Sequence, residues 1–513
     1  MNIRSTAVAV LSTALLMASA CSSGSRGHSS TASTAIASTT TVSPPSPTTT
    51  TEPTPRPSGP AADIAEEITG GSGPFMAAGT GESLAGTGYM QQEYFATGTA
   101  TAYKDIGSLT GNGRWTFAPT TRAPYRTRII VRRPTDPAKF SGTVIVEWLN
   151  VSGGFDTDPE WTAMRQEMIR NGDIWVGVSA QMIGVMGGPV LVAVPIGQNL
   201  AGKGLRKIDP ARYGSLTLPG DGYSFDVFTQ VARALRAGGP DLGGVHPVHL
   251  IAAGESQSAF AMVTYDDGVQ PLAHEFDGFL VNSRGAIGLP LVGPGQDADI
   301  AGAISGTPVI FRTDQAVPVM DVQSESDVTG LLNSAEARQP DSDRFRLWEV
   351  AGTSHVDASL IGPLVVGSID CGAPINNGPM NIVAKAALHG IEQWIDNGNP
   401  PPIAPRFEIS HGTTPTIERD ADGIAIGGIR TPVVDVPTEV VSGVPGPSTS
   451  LICLLLGSTK PLPAARIAQL YPSRAVYLRR FEADADRAIK AGFVLAADRA
   501  ALIAFAEPNR VAA

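Results

Sequence analysis

From about Tyr125 onward the chain alternates short apolar runs with amphipathic stretches. "YRTRIIVRRP" (Tyr125 to Pro134) alternates and is rich in β-branched residues, which predicts a strand. "GTVIVEWLN" (Gly142 to Asn150) and "DIWVGVSA" are unbroken apolar runs, the signature of strands buried on both faces. "WTAMRQEMIR" between them is helical and stops at Asn171-Gly172. "YSFDVFTQVARALRAGG" sets Phe225, Phe228, Val231 and Leu235 on one helical face. "HPVHLIAAG" is a strand and "SQSAFAMVTY" a helix expected to end at Asp267-Gly268. "FDGFLVN", "VPVMDVQ" and "FRLWEV" are three more short apolar runs, and "IVAKAALHGIEQWIDNG" is an amphipathic helix with a glycine stop. Strands alternating with helices predict the α/β class, a doubly wound, mostly parallel sheet. After residue 398 the rhythm changes: "TIERDADGIAIGGI" predicts a hairpin turning at Asp422-Gly423, and the last stretch two helices broken at Gly492. No linker precedes these segments, so residues 399–513 are expected to pack as additions on a core of about 125–398, within one domain spanning 61–513.

The first sixty residues have a different texture. Arg4 and the apolar run Ala7 to Ala18 form an export leader too short to span a bilayer. It ends in Ala18-Ser19-Ala20 before Cys21, which resembles a bacterial lipoprotein cleavage box, with Ala18 where Leu is usual. The resemblance implies a leader of residues 1–21, lipidation of Cys21 and a membrane-anchored location outside the cell; the other reading is an ordinary secretory leader. Residues 22–60, mostly Ser, Thr, Pro and Ala, have too little apolar surface to offset the entropy of ordering and are expected to be an extended tether.

Charge and cysteine count narrow the classes. A net charge of −11 with no basic cluster argues against nucleic acid as a partner. Of three cysteines, Cys371 and Cys453 remain once Cys21 is set aside, an even pair expected to form a disulfide in an oxidising compartment. No Cys/His spacing suggests zinc.

Two Gly-Glu-Ser triplets raise the chemistry of a nucleophilic serine. Such a serine projects from a sharp strand-to-helix turn, which needs small neighbours. Ser256 in "GESQS" has a strand before it and a helix after it; Ser83 lies in a glycine-rich stretch with no strand leading in, and Ser224 also lacks one. "GESQS" is similar to the GxSxG elbow of the α/β-hydrolase superfamily and to the GESAGG form of carboxylesterases, with Ser258 in place of the final Gly. Together with "VEWLNVSGG", "QSESD" and "AGTSHVD", it resembles a bacterial family of exported, esterase-like α/β-hydrolase-domain lipoproteins. That resemblance implies the fold and a base after the last core strand. His355, in "AGTSHVD", is in that place; the other histidines lie in the tether, in or before strands, on a helix or, for His411, after a Pro-rich segment. The acid that orients the base is expected after the preceding strand, at Asp327, with Glu325 as the alternative. The oxyanion donors are expected at the N–H of Gln257 and in the loop "NVSGG", at Gly153 or Gly154. Arg284 is a candidate grip for a substrate carboxylate, or else a structural ion pair; Trp148 and Trp161 are expected in the core.

These readings converge on a serine hydrolase of small-molecule carboxylic esters that works without cofactor. An amidase, peptidase or acyltransferase with the same triad, and a lipid-anchored binding protein on the same scaffold, remain the alternatives. Residues 181–213, apolar but irregular, are read as lid or core.

Overall fold

The computed structural model describes residues 56–512, apart from 78–82, 196, 411, 413 and 414. The expected leader, Cys21 and the tether up to residue 55 lie outside the described residues. Residues 56–60, the end of the expected tether, are exposed but held against the domain: Arg56 pairs with Asp277 and donates to the His274 carbonyl. Pro55 to Ala513 is one compact unit.

Eight strands form the central sheet: β1 (Tyr89–Asp105), β2 (Phe117–Pro134), β3 (Thr143–Trp148), β4 (Ile174–Val178), β5 (His249–Glu255), β6 (Gly278–Asn282), β7 (Val319–Ser324) and β8 (Phe345–Val350). Their order is β1-β2-β4-β3-β5-β6-β7-β8. β2 runs antiparallel to both its neighbours, and every pair from β4 to β8 is parallel. The helices that bear on the site and core are α1 (Pro159–Asn171), α2 (Ser224–Ala237), α3 (Gln257–Thr264), α4 (Glu325–Val328), α5 (Ala358–Val366), α6 (Met380–Asn397), α7 (Leu451–Leu455) and α8 (Arg474–Lys490).

The unbroken apolar strands serve two cores because side chains alternate across a strand. Val144, Val146 and Trp148 of β3 face one side, with Phe225, Phe228, Val231 and Leu235 of α2. Ile145 faces the other, with Trp161 and Met168 of α1 and Val383, Leu388 and Ile391 of α6. Trp148 and Trp161 are therefore core residues, and Trp148 lies 5.4 and 5.3 Å from the rings of Phe225 and Phe228. The expected doubly wound α/β architecture is what forms.

Two elements depart from expectation. The helix that follows Ser256 does not stop at Asp267-Gly268; it passes through a π-helical turn, Tyr265–Val269, and runs on to Ala273. Gly268 is there for contact, since a Cβ would sit 2.1 Å from the Phe117 ring. β1, which pairs with β2 along nearly its whole length, has no counterpart in the apolar pattern. The C-terminal additions follow expectation: Arg419 bridges Ala425 around the turn at Gly423, and α8 ends before Gly492 in the left-handed region (φ +83°). The parallel strands β5, β7 and β8 all end at the same sheet edge, where ligands bind in open α/β sheets.

Candidate active site

Ser256 stands on the turn between β5 and α3 with φ +58° and ψ −119°, a strained conformation for a residue with a side chain. Three features hold it there. Its N–H donates to the Asn282 carbonyl of β6 at 3.0 Å. Gly254 lets the helix approach, since a Cβ would meet the Ser258 carbonyl oxygen at 2.7 Å. Ser258, standing where the motif has Gly, clips the turn: its Oγ donates to the Glu255 carbonyl at 2.7 Å and accepts the Glu255 N–H at 3.0 Å.

His355 lies in the loop after β8. Its Nε2 is 2.8 Å from Ser256 Oγ and its Nδ1 is 2.6 Å from Asp327 Oδ1. The segment "SESD" holds this loop with every side chain after Ser324. Ser326 Oγ accepts the His355 N–H at 2.7 Å, and Glu325 Oε1 accepts the Gly352 N–H at 2.7 Å. Asp327 Oδ2 accepts the Ser324 N–H at 2.6 Å, closing a capping box on α4 and fixing the carboxylate. Glu325 itself turns away from the imidazole; its Oε2 accepts from Arg419 and from the Gly443 N–H. Asp327 is thus the partner of His355, and the alternative acid Glu325 is a scaffold residue.

Burial works against a charged imidazole, but the Asp327 charge and hydrogen bond outweigh it and the His355 pKa is raised, with Glu255 adding to the effect. Glu255 is a member of the site that motif reasoning passed over. Its Oε1 lies 3.6 Å from His355 Nε2, and its carbonyl accepts from Asn150 Nδ2 at 3.0 Å. Burial pushes its carboxyl up to about 7, with His355 opposing. The sequence signal was present, since Glu255 directly precedes the serine.

The loop after β3 meets the elbow through Gln257, whose Oε1 accepts the Val151 N–H at 3.2 Å and whose Nε2 donates to Gln181 at 2.6 Å. The Gln257 N–H opens the first turn of α3, where backbone donors have no partner within the helix. Gly153 lines the cavity over Ser256. Gly154 does not: its N–H is taken by the Val151 carbonyl at 2.9 Å, and its carbonyl accepts from Gly202 at 2.8 Å. The expectation at Gly154 is corrected, because that residue braces the 181–213 segment.

Of the two readings of Arg284, the substrate grip is corrected and the structural ion pair holds. Arg284 is buried, donates to the Gly285 and Val309 carbonyls at 3.0 and 2.6 Å, and faces Asp321 at 3.8 Å. It packs over the Phe311 ring inside the core and lines neither cavity at Ser256. Ser83 is exposed just ahead of a turn, and Ser224 is buried at the start of α2.

A cavity of about 350 Å³ opens over Ser256, Glu255 and His355. Its walls come from Phe75 and Phe155, from Val194 and Leu200 of the 181–213 segment, and from Ile361, Val365, Ile452 and Leu455 of α5 and α7. Cys371 and Cys453 form the expected disulfide, which joins the chain beyond α5 to α7. The serine hydroxyl, imidazole and carboxylate make one hydrogen-bonded chain able to move a proton from oxygen to nitrogen beside an apolar chamber. Among the described residues, no group of three or more His, Cys, Asp or Glu is arranged to hold a metal ion.

Several solved structures are similar to the chain. Fungal esterases from Rhizomucor miehei share 10% identity over 59% of this chain and 86% of theirs, with a TM-score of 0.30. An α/β serine hydrolase without lid from Xanthomonas campestris shares 12% over 58% and 96%, with a TM-score of 0.29. A carboxyl esterase from Tuber melanosporum shares 12% over 61% and 91%, with a TM-score of 0.29. No curated protein matches the chain. A family model described as alpha/beta hydrolase domain matches residues 54–504, nearly the whole described chain, and the chain belongs to that family.

Proposed function

We propose that this protein is a serine hydrolase that cleaves carboxylic esters through an acyl-enzyme. The observation that carries the reading is the bonded chain Ser256–His355–Asp327 with the serine held at positive φ. In the first half-reaction Ser256 Oγ attacks the ester carbon while His355 Nε2 takes its proton. Asp327 holds the ring with Nε2 free to accept and favours the imidazolium that forms. The Gln257 N–H, with Gly153 as second donor, receives the negative oxygen. His355 then gives its proton to the leaving alkoxide, and a water deprotonated by the same ring releases the acid and restores the serine. Cys21 serves as a lipid anchor outside the cell, and the Cys371–Cys453 disulfide suits that oxidising location.

A fluorophosphonate probe tests the reading. The intact protein is expected to label at Ser256, and Ser256→Ala to be unlabelled and to lose activity by on the order of a millionfold. A folded protein that does not label, or labelling that survives the substitution, overturns it.

A further inference from the structure

Resting on the serine hydrolase reading, we infer that the substrate is an uncharged ester with one long apolar arm and one arm of one or two carbons. A tetrahedral centre on Ser256 Oγ carries an oxyanion and two further substituents, and each substituent needs space. Two cavities of very different size meet at this serine. Ser152, Val192, Ser256, His355 and Leu455 line both, so the reacting atoms form the partition between them. The larger, of about 350 Å³, falls within the range of about 300–1,000 Å³ that accepts a whole small ligand. Its far wall is apolar, through Phe75, Phe155, Leu200, Ile361 and Val365. The smaller, of about 30 Å³, has room for about two water-sized groups, since one needs about 10–15 Å³. Phe260, Ile304, Leu332 and Leu451 line it, so it takes an arm of one or two carbons where the larger takes a long one.

Charge completes the assignment. Among the described residues, the larger cavity is lined by Asp158, Glu255 and His355 and by no Lys or Arg; in the smaller, His355 is the one ionisable residue among them. Asp158 is already paired with Arg132, and Glu255 Oε1 has no hydrogen-bond partner. A carboxylate-bearing arm entering this chamber loses its water, gains no cation and meets a second carboxyl. Arg284 is sealed in the core, and among the described residues no guanidinium lines either chamber.

Three isomeric ten-carbon esters test the inference because they share one hydrophobicity: methyl nonanoate, octyl acetate and pentyl pentanoate. At least one unsymmetrical isomer is expected to exceed pentyl pentanoate in kcat/KM by about tenfold or more, since surplus methylenes in a filled pocket cost about that much each. The ionised monomethyl ester of a long dicarboxylic acid is expected to fall below methyl nonanoate by a similar factor. Leu451→Ala, at a partly exposed position, is expected to raise pentyl pentanoate relative to the other two. Ile361→Trp is expected to suppress the long-arm esters while sparing methyl acetate. Fluorophosphonate labelling is run on the same samples. Labelled protein that treats the three isomers alike, prefers the charged ester or hydrolyses none of them overturns this inference. Folded protein that does not label overturns the serine hydrolase reading instead.

Discussion

Glu255 lies beside the imidazole that carries the proposed proton transfer, and its charge state is set by two opposing causes. Burial raises its carboxyl to about 7, while His355 pulls it down. Once ionised, it adds a second negative charge 3.6 Å from His355 Nε2, on the side opposite Asp327's contact with Nδ1. Both charges favour the imidazolium, so Glu255→Gln removes one of the charges that raise the His355 pKa. Because only neutral imidazole accepts the serine proton, a lower His355 pKa moves the acid limb of the kcat/KM profile to lower pH. The plateau rate falls as well, since the imidazolium formed in the transition state loses an anionic neighbour. A pH–rate series on the variant checks this, and an acid limb that stays put or moves upward contradicts it. The carbonyl of residue 255 still bonds Asn150 and Ser258 in the variant, so the elbow has its supports and the change is read as electrostatic.

At the scale of elements, α5 and α7 form the outer wall of the larger cavity, and the Cys371–Cys453 bond ties the chain just beyond α5 to α7 across 82 residues of sequence. Closing a loop of that length restricts the unfolded chain, and such bonds contribute typically about 2–4 kcal/mol. Cys371→Ser is therefore expected to lower the unfolding temperature by several degrees. Kinetically, it is expected to weaken turnover of long-chain esters more than of short ones, because the wall that loosens is the one the long arm touches. Thermal unfolding with and without reductant, together with the ester series, measures both; an unchanged melting temperature contradicts the stability claim. The elements themselves differ in how far the sequence announces them. β3, β4 and α2 are visible because each buries an unbroken run or one full helical face. β1 is half-exposed along much of its length and its middle, Ala96 to Ala102, is Ala, Thr and Gly alone, so it has no clear apolar period. Gly268 reads as a stop because nothing local reveals the Phe117 ring pressing on it. The site divides the same way. Ser256, Asp327 and His355 are legible because each lies in a short motif within five residues of a strand's end. The hold of Ser326 on the histidine backbone, the brace at Gly154 and the burial of Arg284 depend on which strands lie side by side, and local pattern does not carry that.

Over the whole molecule, a net charge of −11 is joined to an interior with many acids. Burial raises the carboxyls of Glu147 and Asp266 to about 8 and those of Asp173 and Glu255 to about 7. In the unfolded chain the same groups release their protons near pH 4. Between those limits the folded state binds more protons, so folding stability falls as pH rises. Their contribution is complete below about pH 4 and is lost as pH climbs through 7 and 8. Asp314 works in the opposite sense: hydrogen bonds and charge from Arg312 lower its pKa, so its smaller contribution is present above about pH 4 and lost below it. The two trends place maximum stability near pH 4 to 5, with a decline from there to about pH 8. Melting temperatures across that range check the sign, and a rise toward pH 8 contradicts it. Asp266→Asn isolates the cause. Asn keeps the shape of a fully buried side chain and never ionises, so the variant is expected to match the wild type near pH 5 and exceed it near pH 8. If the gap between the two proteins instead stays constant across pH, the slope belongs to the overall negative charge and not to the buried acids.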